Sequence, residues 1–222
     1  MTKERHVLPK RRIGILGGSF NPPHLGHLAL ARTAYRRLQL DEVWLLVSPQ
    51  NPLKAKKGMA PFAERMAMCT LLADGNPWLK VSDFENRIHT TFTYHTLLAL
   101  KEAYPDVLFV WLMGTDNLMS FHKWEAWGKI FQTVPIAVIN RGDAPLAGLK
   151  SPAAIRFARY RRRKESASLD TSLPNWRVLF APVHEGRATD IRRQIRRGGE
   201  VANMHPRVLE RIRLQNTYGA TT

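Results

Sequence analysis

Short apolar runs recur along the chain, and each is followed by a stretch whose apolar residues repeat at helical spacing. The runs Ile13 to Leu16, Val43 to Val47, Val81 to Phe84, Val107 to Met113, Ile136 to Ile139 and Val178 to Ala181 read as strands. Between them, Leu25 to Leu38, Pro61 to Ala73, Thr93 to Ala103 and Ala153 to Arg163 read as helices, with two more near the end. This alternation predicts an α/β fold: an open, mostly parallel sheet with helices on both faces. Right-handed crossovers put the C-terminal ends of such strands on one edge, and that edge holds the ligand.

Composition narrows the class. With 222 residues, 44% hydrophobic and 23% charged, the chain is an ordinary globular protein able to bury one full core. We expect a basic N-terminal tail over 1–12, a single domain over 13–215 and a short C-terminal tail over 216–222. Lys and Arg number 34 against 18 Asp and Glu, a formal charge of +16, which favours anionic partners without choosing among a nucleotide, a phosphate ester and a nucleic acid. The single cysteine, Cys69, lies in an apolar-periodic stretch and reads as a small core residue, so neither a disulfide nor a cysteine-based zinc site is expected. No apolar run approaches the roughly 20 residues that cross a bilayer, and the basic start leads into a strand rather than a signal core, so a cytoplasmic protein without a membrane partner is expected.

The first strand runs into Gly17-Gly18-Ser19-Phe20-Asn21-Pro22-Pro23-His24-Leu25-Gly26-His27. Two glycines permit a tight turn and close approach of a ligand, and the helix that follows aims its amide donors and positive dipole end at an anion. His24 and His27, three apart, share one helix face and can donate to the same oxygens. The alternative is a capped helix start with two incidental surface histidines. Neither the dinucleotide fingerprint nor the P-loop occurs here, so this is a different phosphate turn.

The stretch from Gly18 to His27 resembles the G-x-F-x-P-x-H-x-G-H signature of the nucleotidyltransferase superfamily, and both histidines match. Further segments resemble nicotinate mononucleotide adenylyltransferases in particular. Asn51-Pro52-Leu53-Lys54 is similar to that family's proline-rich loop ending in lysine, although its histidine is absent. Gly114-Thr115-Asp116-Asn117-Leu118, followed by Trp124 and Trp127, is similar to G-A-D-x-L…W-x-x-W. Thr91-Phe92-Thr93-Tyr94-His95-Thr96-Leu97 resembles S-Y-T-x-D-T-L, with His95 in place of an aspartate. Arg187-Ala188-Thr189-Asp190-Ile191-Arg192 resembles I-S-S-T-x-I-R, with Arg187 in place of a serine.

The resemblance spans Ile13 to about Arg197. It implies a Rossmann-like fold and transfer of the adenylyl group of ATP to nicotinate mononucleotide, with Mg²⁺ arriving on ATP. By the same likeness, His24, His27, Lys54 and Arg192 act on the phosphates; Gly17, Gly18, Ser19, Phe20, Gly114, Asp116 and Thr189 complete the ATP site; and Lys54, Thr93, Trp124 and Arg141 hold the acceptor, Trp124 stacking on its ring. Asn21 stands where aspartate is frequent, so no metal-ligand role is assigned to it.

From the residues alone, the tryptophans also read as helix core and Lys54 as an exposed loop lysine. Thr189 reads as a helix cap beside a fork-shaped phosphate donor in Arg192. A pantetheine-phosphate or other adenylyl- or cytidylyltransferase, and a nucleic-acid-binding protein using the basic run Arg156 to Lys164, remain alternatives. A homo-oligomer is possible.

Overall fold

The computed structural model describes residues 11–49, 58–140, 148–162, 172–182, 186–198 and 200–219. Six strands form one sheet: β1 (Arg11–Gly18), β2 (Glu42–Val47), β3 (Leu79–Ser82), β4 (Val107–Gly114), β5 (Ile136–Asn140) and β6 (Trp176–Phe180). Their order is β3-β2-β1-β4-β5-β6, and every neighbouring pair is parallel. This is the doubly wound α/β order, in which the crevice lies where the winding reverses, between β1 and β4.

Alternate residues of each strand feed opposite cores. Leu16, Val43, Leu45, Val47, Leu112 and Ile139 pack on one side of the sheet, while Ile13, Ile15, Leu46, Trp111, Met113 and Val138 pack on the other. With both faces covered, the strands need no polar side, which is why they read as continuous apolar runs.

The first core is roofed by α1 (Leu25–Arg37), α2 (Phe62–Ala73), α8 (Ala188–Arg196) and α9 (Pro206–Leu214). Under the second lie α3 (Phe84–Arg87), α4 (Thr93–Ala103), α5 (Thr115–Ser120), α6 (Trp127–Thr133) and α7 (Pro152–Arg156). Cys69 is buried in the first core, and burial pushes its thiol pKa up, away from a reactive thiolate. Among the described residues no helix is long and apolar enough to cross a membrane.

Three expectations are corrected. The third strand ends at Ser82 rather than Phe84, because Phe84 opens α3, where its buried ring packs in the second core. The expected helix Ala153 to Arg163 is broken: α7 stops at Arg156 and a 3₁₀ turn covers Ala158–Tyr160. The Phe157 carbonyl is taken by the Trp176 indole N–H (2.8 Å) and the Tyr160 N–H (3.0 Å), so no carbonyl is left there to continue an α-helix. The domain also extends beyond its expected bounds, since Arg11 and Arg12 are in β1 and Tyr218 packs against the first core.

One side chain ties the C-terminal edge together. Arg65, on α2, is 1% exposed and, among the described residues, donates to backbone carbonyls: Nη1 to Ser19 (2.8 Å) and Ser48 (2.7 Å), Nη2 to Pro49 (2.9 Å) and Nε to Ala60 (3.1 Å). Burial lowers its pKa, yet the fork of donors matches carbonyls from both strand ends and the segment entering α2. Arg65→Met leaves these acceptors unmet. At about 1–3 kcal/mol for a buried group stripped of its partner, we expect a loss of roughly 3 kcal/mol or more, read from urea unfolding by circular dichroism.

Candidate active site

The glycines after Leu16 do not make the turn. Gly17 and Gly18 are the last residues of β1 and neither has positive φ. Their smallness serves packing: a Cβ on Gly17 would lie 2.4 Å from Cη2 of Trp111, and one on Gly18 would lie 3.2 Å from the Phe20 ring. The left-handed position is Phe20 itself, at φ 46°, a conformation that disfavours a bulky residue. Its buried ring packs edge-on against His27 with centroids 5.0 Å apart.

The turn delivers the chain to α1, with His24 as N-cap and 2% exposed. The His24 and His27 rings lie 3.8 Å apart. The His24 backbone N–H donates to His27 Nδ1 (3.1 Å), which assigns the neutral ring's proton to Nε2 and makes that atom the donor. Two helix-start amides are already engaged: Leu25 N–H on the Asn203 carbonyl (3.0 Å) and His27 N–H on the His24 carbonyl (2.9 Å). The side chains therefore carry more of any anion binding than the open helix end expected from sequence.

Asn21 is a junction. Its Oδ1 accepts from the Ala60 N–H (2.9 Å) and the Tyr218 hydroxyl (2.6 Å), and its Nδ2 donates to the Gly58 carbonyl (3.0 Å). Its backbone carbonyl accepts from Arg192 Nη1 (2.5 Å). Arg192 is thus brought from α8 to the histidine turn, with Thr189 beside it accepting from Nη2 at 3.4 Å. Thr189 is not the cap: that position is Arg187, and Thr189 is an exposed residue of the first helical turn. Sequence gave no signal for Tyr218, which comes from the segment taken for a tail.

On the other side of the turn a cavity of about 310 Å³ opens between β1 and β4. Gly17, Gly18, Ser19, Ser48, Thr93, Trp111 and Trp124 are among its walls. Trp124 and Thr93 therefore line the same cavity as the glycines, whereas Trp127 faces a separate open groove with Lys129 and Arg156 that does not touch the histidine turn. Gly114 ends β4 and Asp116 is exposed in the first turn of α5; neither is a wall residue, although Asn117 is. Lys54 and Arg141 lie outside the described residues. In the basic run, Arg156 lies over Trp127, Arg159 over Tyr160 and Arg161 over Trp176, so three of its arginines are already placed on aromatic rings of this chain.

The residue missed in sequence is Glu85. It is 4% exposed, belongs to α3 and lines the cavity. Burial pushes its pKa up to about 7, opposed by hydrogen bonds to Thr96 and Ser48. An acid just after a strand on the ligand edge was the available signal, obscured by reading the strand on to Phe84.

A nucleotide-sized crevice at the switch point, flanked by paired histidines and an arginine, defines a nucleotide-binding enzyme of the α/β class. The profile of the cytidylyltransferase-like family matches residues 15–194. Proteins named "Probable nicotinate-nucleotide adenylyltransferase" from Caulobacter sp. (strain K31) and Gluconobacter oxydans (strain 621H) are 46% and 47% identical, over 82% of this chain and 96% and 93% of their own lengths. The chain therefore belongs to the cytidylyltransferase-like family and, within it, to the nicotinate-nucleotide adenylyltransferases. A Plasmodium falciparum nicotinic acid mononucleotide adenylyltransferase complexed with NaAD shares the fold, with a TM-score of 0.73 at 18% identity over 95% of this chain and 98% of that one.

Glu85 predicts a pH effect on stability. Its folded pKa, about 7, exceeds the usual 4.5, so the folded state binds the extra proton, and the stability this contributes is lost as pH rises through 4.5 to 7. Glu85→Gln removes the dependence. The unfolding free energy of the variant relative to the parent should rise across that window and then level off, read from urea midpoints at each pH.

Proposed function

We propose that this protein transfers the adenylyl group of ATP to nicotinate mononucleotide, releasing nicotinate adenine dinucleotide and pyrophosphate in NAD biosynthesis. The observation that carries this is the pair of sites meeting at the β1 end: histidines with Arg192 on one side, an aromatic-walled cavity on the other. Close relatives bearing that activity's name support the same acceptor.

The acceptor's phosphate oxygen attacks the α-phosphorus of ATP in line as the bond to pyrophosphate breaks. Little covalent help is needed, so positioning and charge stabilisation supply the catalysis. His24 and His27 hold α- and β-phosphate oxygens, His27 through its Nε2 proton, and charge builds on those oxygens as pyrophosphate leaves. Arg192, anchored on the Asn21 carbonyl through one nitrogen, presents its fixed positive charge to the outer phosphates, with Thr189 adding a hydroxyl. Lys54 supplies a further point charge, while Gly17, Gly18, Ser19 and Phe20 shape the floor beneath the nucleotide and Gly114 and Asp116 its ribose side. Trp124 stacks on the pyridine ring, with Thr93 and Arg141 completing the acceptor site.

Among the described residues no three His, Cys, Asp or Glu side chains group as a metal cage. Asn21 offers an amide whose oxygen is already engaged twice. This donor set fits a Mg²⁺ that would arrive on ATP and would neutralise charge on the leaving group.

Pyrophosphate release with ATP, Mg²⁺ and each acceptor in turn tests the reading. Turnover should appear with nicotinate mononucleotide and not with phosphopantetheine; the reverse result overturns it. His24→Ala should lower kcat by about 10²–10³, as for loss of a donor to developing charge. Trp124→Ala should raise KM for the mononucleotide by roughly 10–100-fold, the equivalent of one lost base–aromatic stack.

A further inference from the structure

The hydroxyl of Thr96 stands 3.2 Å from Glu85 Oε1 and 3.1 Å from the Phe92 carbonyl oxygen. It has one proton. That proton goes either to the Glu85 carboxylate or to the Phe92 carbonyl: in the first case Thr96 serves the ionised acid, as the hydrogen bond with Ser48 does; in the second, the contact to Glu85 is met by the acid form donating to Thr96 Oγ1. The pocket thus accommodates Glu85 in either protonation state. Burial favours the neutral form, since Glu85 is 4% exposed and has no cation hydrogen-bonded to it among the described residues.

Apart from Lys123, which lines the same cavity, the charged and titratable groups around it are engaged elsewhere or exposed. On its own helix and cap, Arg87 pairs with Asp83 at 2.8 Å, and the neighbouring His89 is exposed. From α4, His95 faces Glu125 at 3.7 Å, and Tyr94 lies under Lys129. Arg65, from α2, contacts the Ser48 carbonyl rather than Glu85, and Lys123 and Glu125 line the same cavity. The cavity also includes Trp111, whose buried indole N–H has no hydrogen-bond partner among the described residues.

We propose that Glu85 is a proton-linked specificity determinant of the acceptor pocket: neutral, it admits a pyridine ring bearing a carboxylate, and ionised, it favours the ring bearing a carboxamide. This rests on the reading of a pyridine mononucleotide as acceptor. A second carboxylate brought into this cavity repels an ionised Glu85 but not its acid form, which donates a hydrogen bond instead. A carboxamide has the opposite fit, because its N–H groups donate to a carboxylate.

The test is the ratio of kcat/KM for nicotinate mononucleotide to that for nicotinamide mononucleotide, followed from below to above the shifted pKa. The histidines, the phosphate groups and Mg²⁺ are common to both substrates and cancel in the ratio. In the parent protein the ratio should be flat in acid and fall by up to about tenfold per pH unit above about 7, the slope of a single proton. In Glu85→Gln it should not vary with pH. A parent ratio that is flat throughout, or a variant that keeps the parent's fall, overturns the proposal.

Calorimetry on the parent alone decides the matter if the variant does not fold. In buffers of differing ionisation enthalpy at about pH 8, a unit above the shifted value, nicotinate mononucleotide should take up close to one more proton on binding than nicotinamide mononucleotide. Equal uptake overturns the proposal. Failure of the underlying reading looks different: neither mononucleotide is turned over or bound, and the proposal falls with it.

Discussion

A buried guanidinium with no carboxylate partner among the described residues holds the ligand edge of this sheet. Arg65 is a cation removed from water, and what offsets its desolvation is a set of carbonyls at the ends of β1 and β2 and before α2. Those carbonyls belong to the segments that leave the sheet to build the candidate site: Ser19 begins the histidine turn, Ser48 lines the cavity beside Trp124 and Ala60 bonds Asn21. Because one rigid fork serves them all, the two halves of the site cannot drift independently.

Asn21 continues this network outward. Through it the turn is bonded to Ala60, Gly58, Tyr218 and Arg192, so elements far apart in sequence converge on one amide and its carbonyl. Tyr218, near the C-terminus, is buried enough that its phenol is driven up from its ordinary pKa and stays neutral, serving as a hydroxyl donor. The two sides of the turn then have contrasting electrostatics. Toward α1 and α8 it gathers His24, His27 and Arg192, whereas toward α3 and α4 it holds an acid whose pKa burial raises.

Much of this was readable from residues in order. All six strands and the helices α1, α2 and α4 fall close to where apolar spacing places them, because burial on both sheet faces leaves an unbroken apolar signature. The short helices α3, α5 and α6 were not legible: at four, six and seven residues they present too few turns for a period to register. The histidine turn was legible as chemistry, but the reason for its glycines was not. Gly17 is small because Trp111 occupies the space its Cβ would need, a contact between strands nearly a hundred residues apart.

By itself the sequence determined the sheet's composition, the place of the glycine-histidine turn, the pairing of His24 with His27 and the aromatic residue at position 124, since each is carried by local spacing or a contiguous motif. Tertiary structure alone decided that Arg65 clasps carbonyls, that Asn21 joins the turn to α8 and Tyr218, and that Glu85 lines the cavity against Thr96. These depend on burial and on partners distant in the chain. The ionisation of an acid or the partner of an arginine is set by the dielectric and donors around it in space, and residue order does not encode those locally.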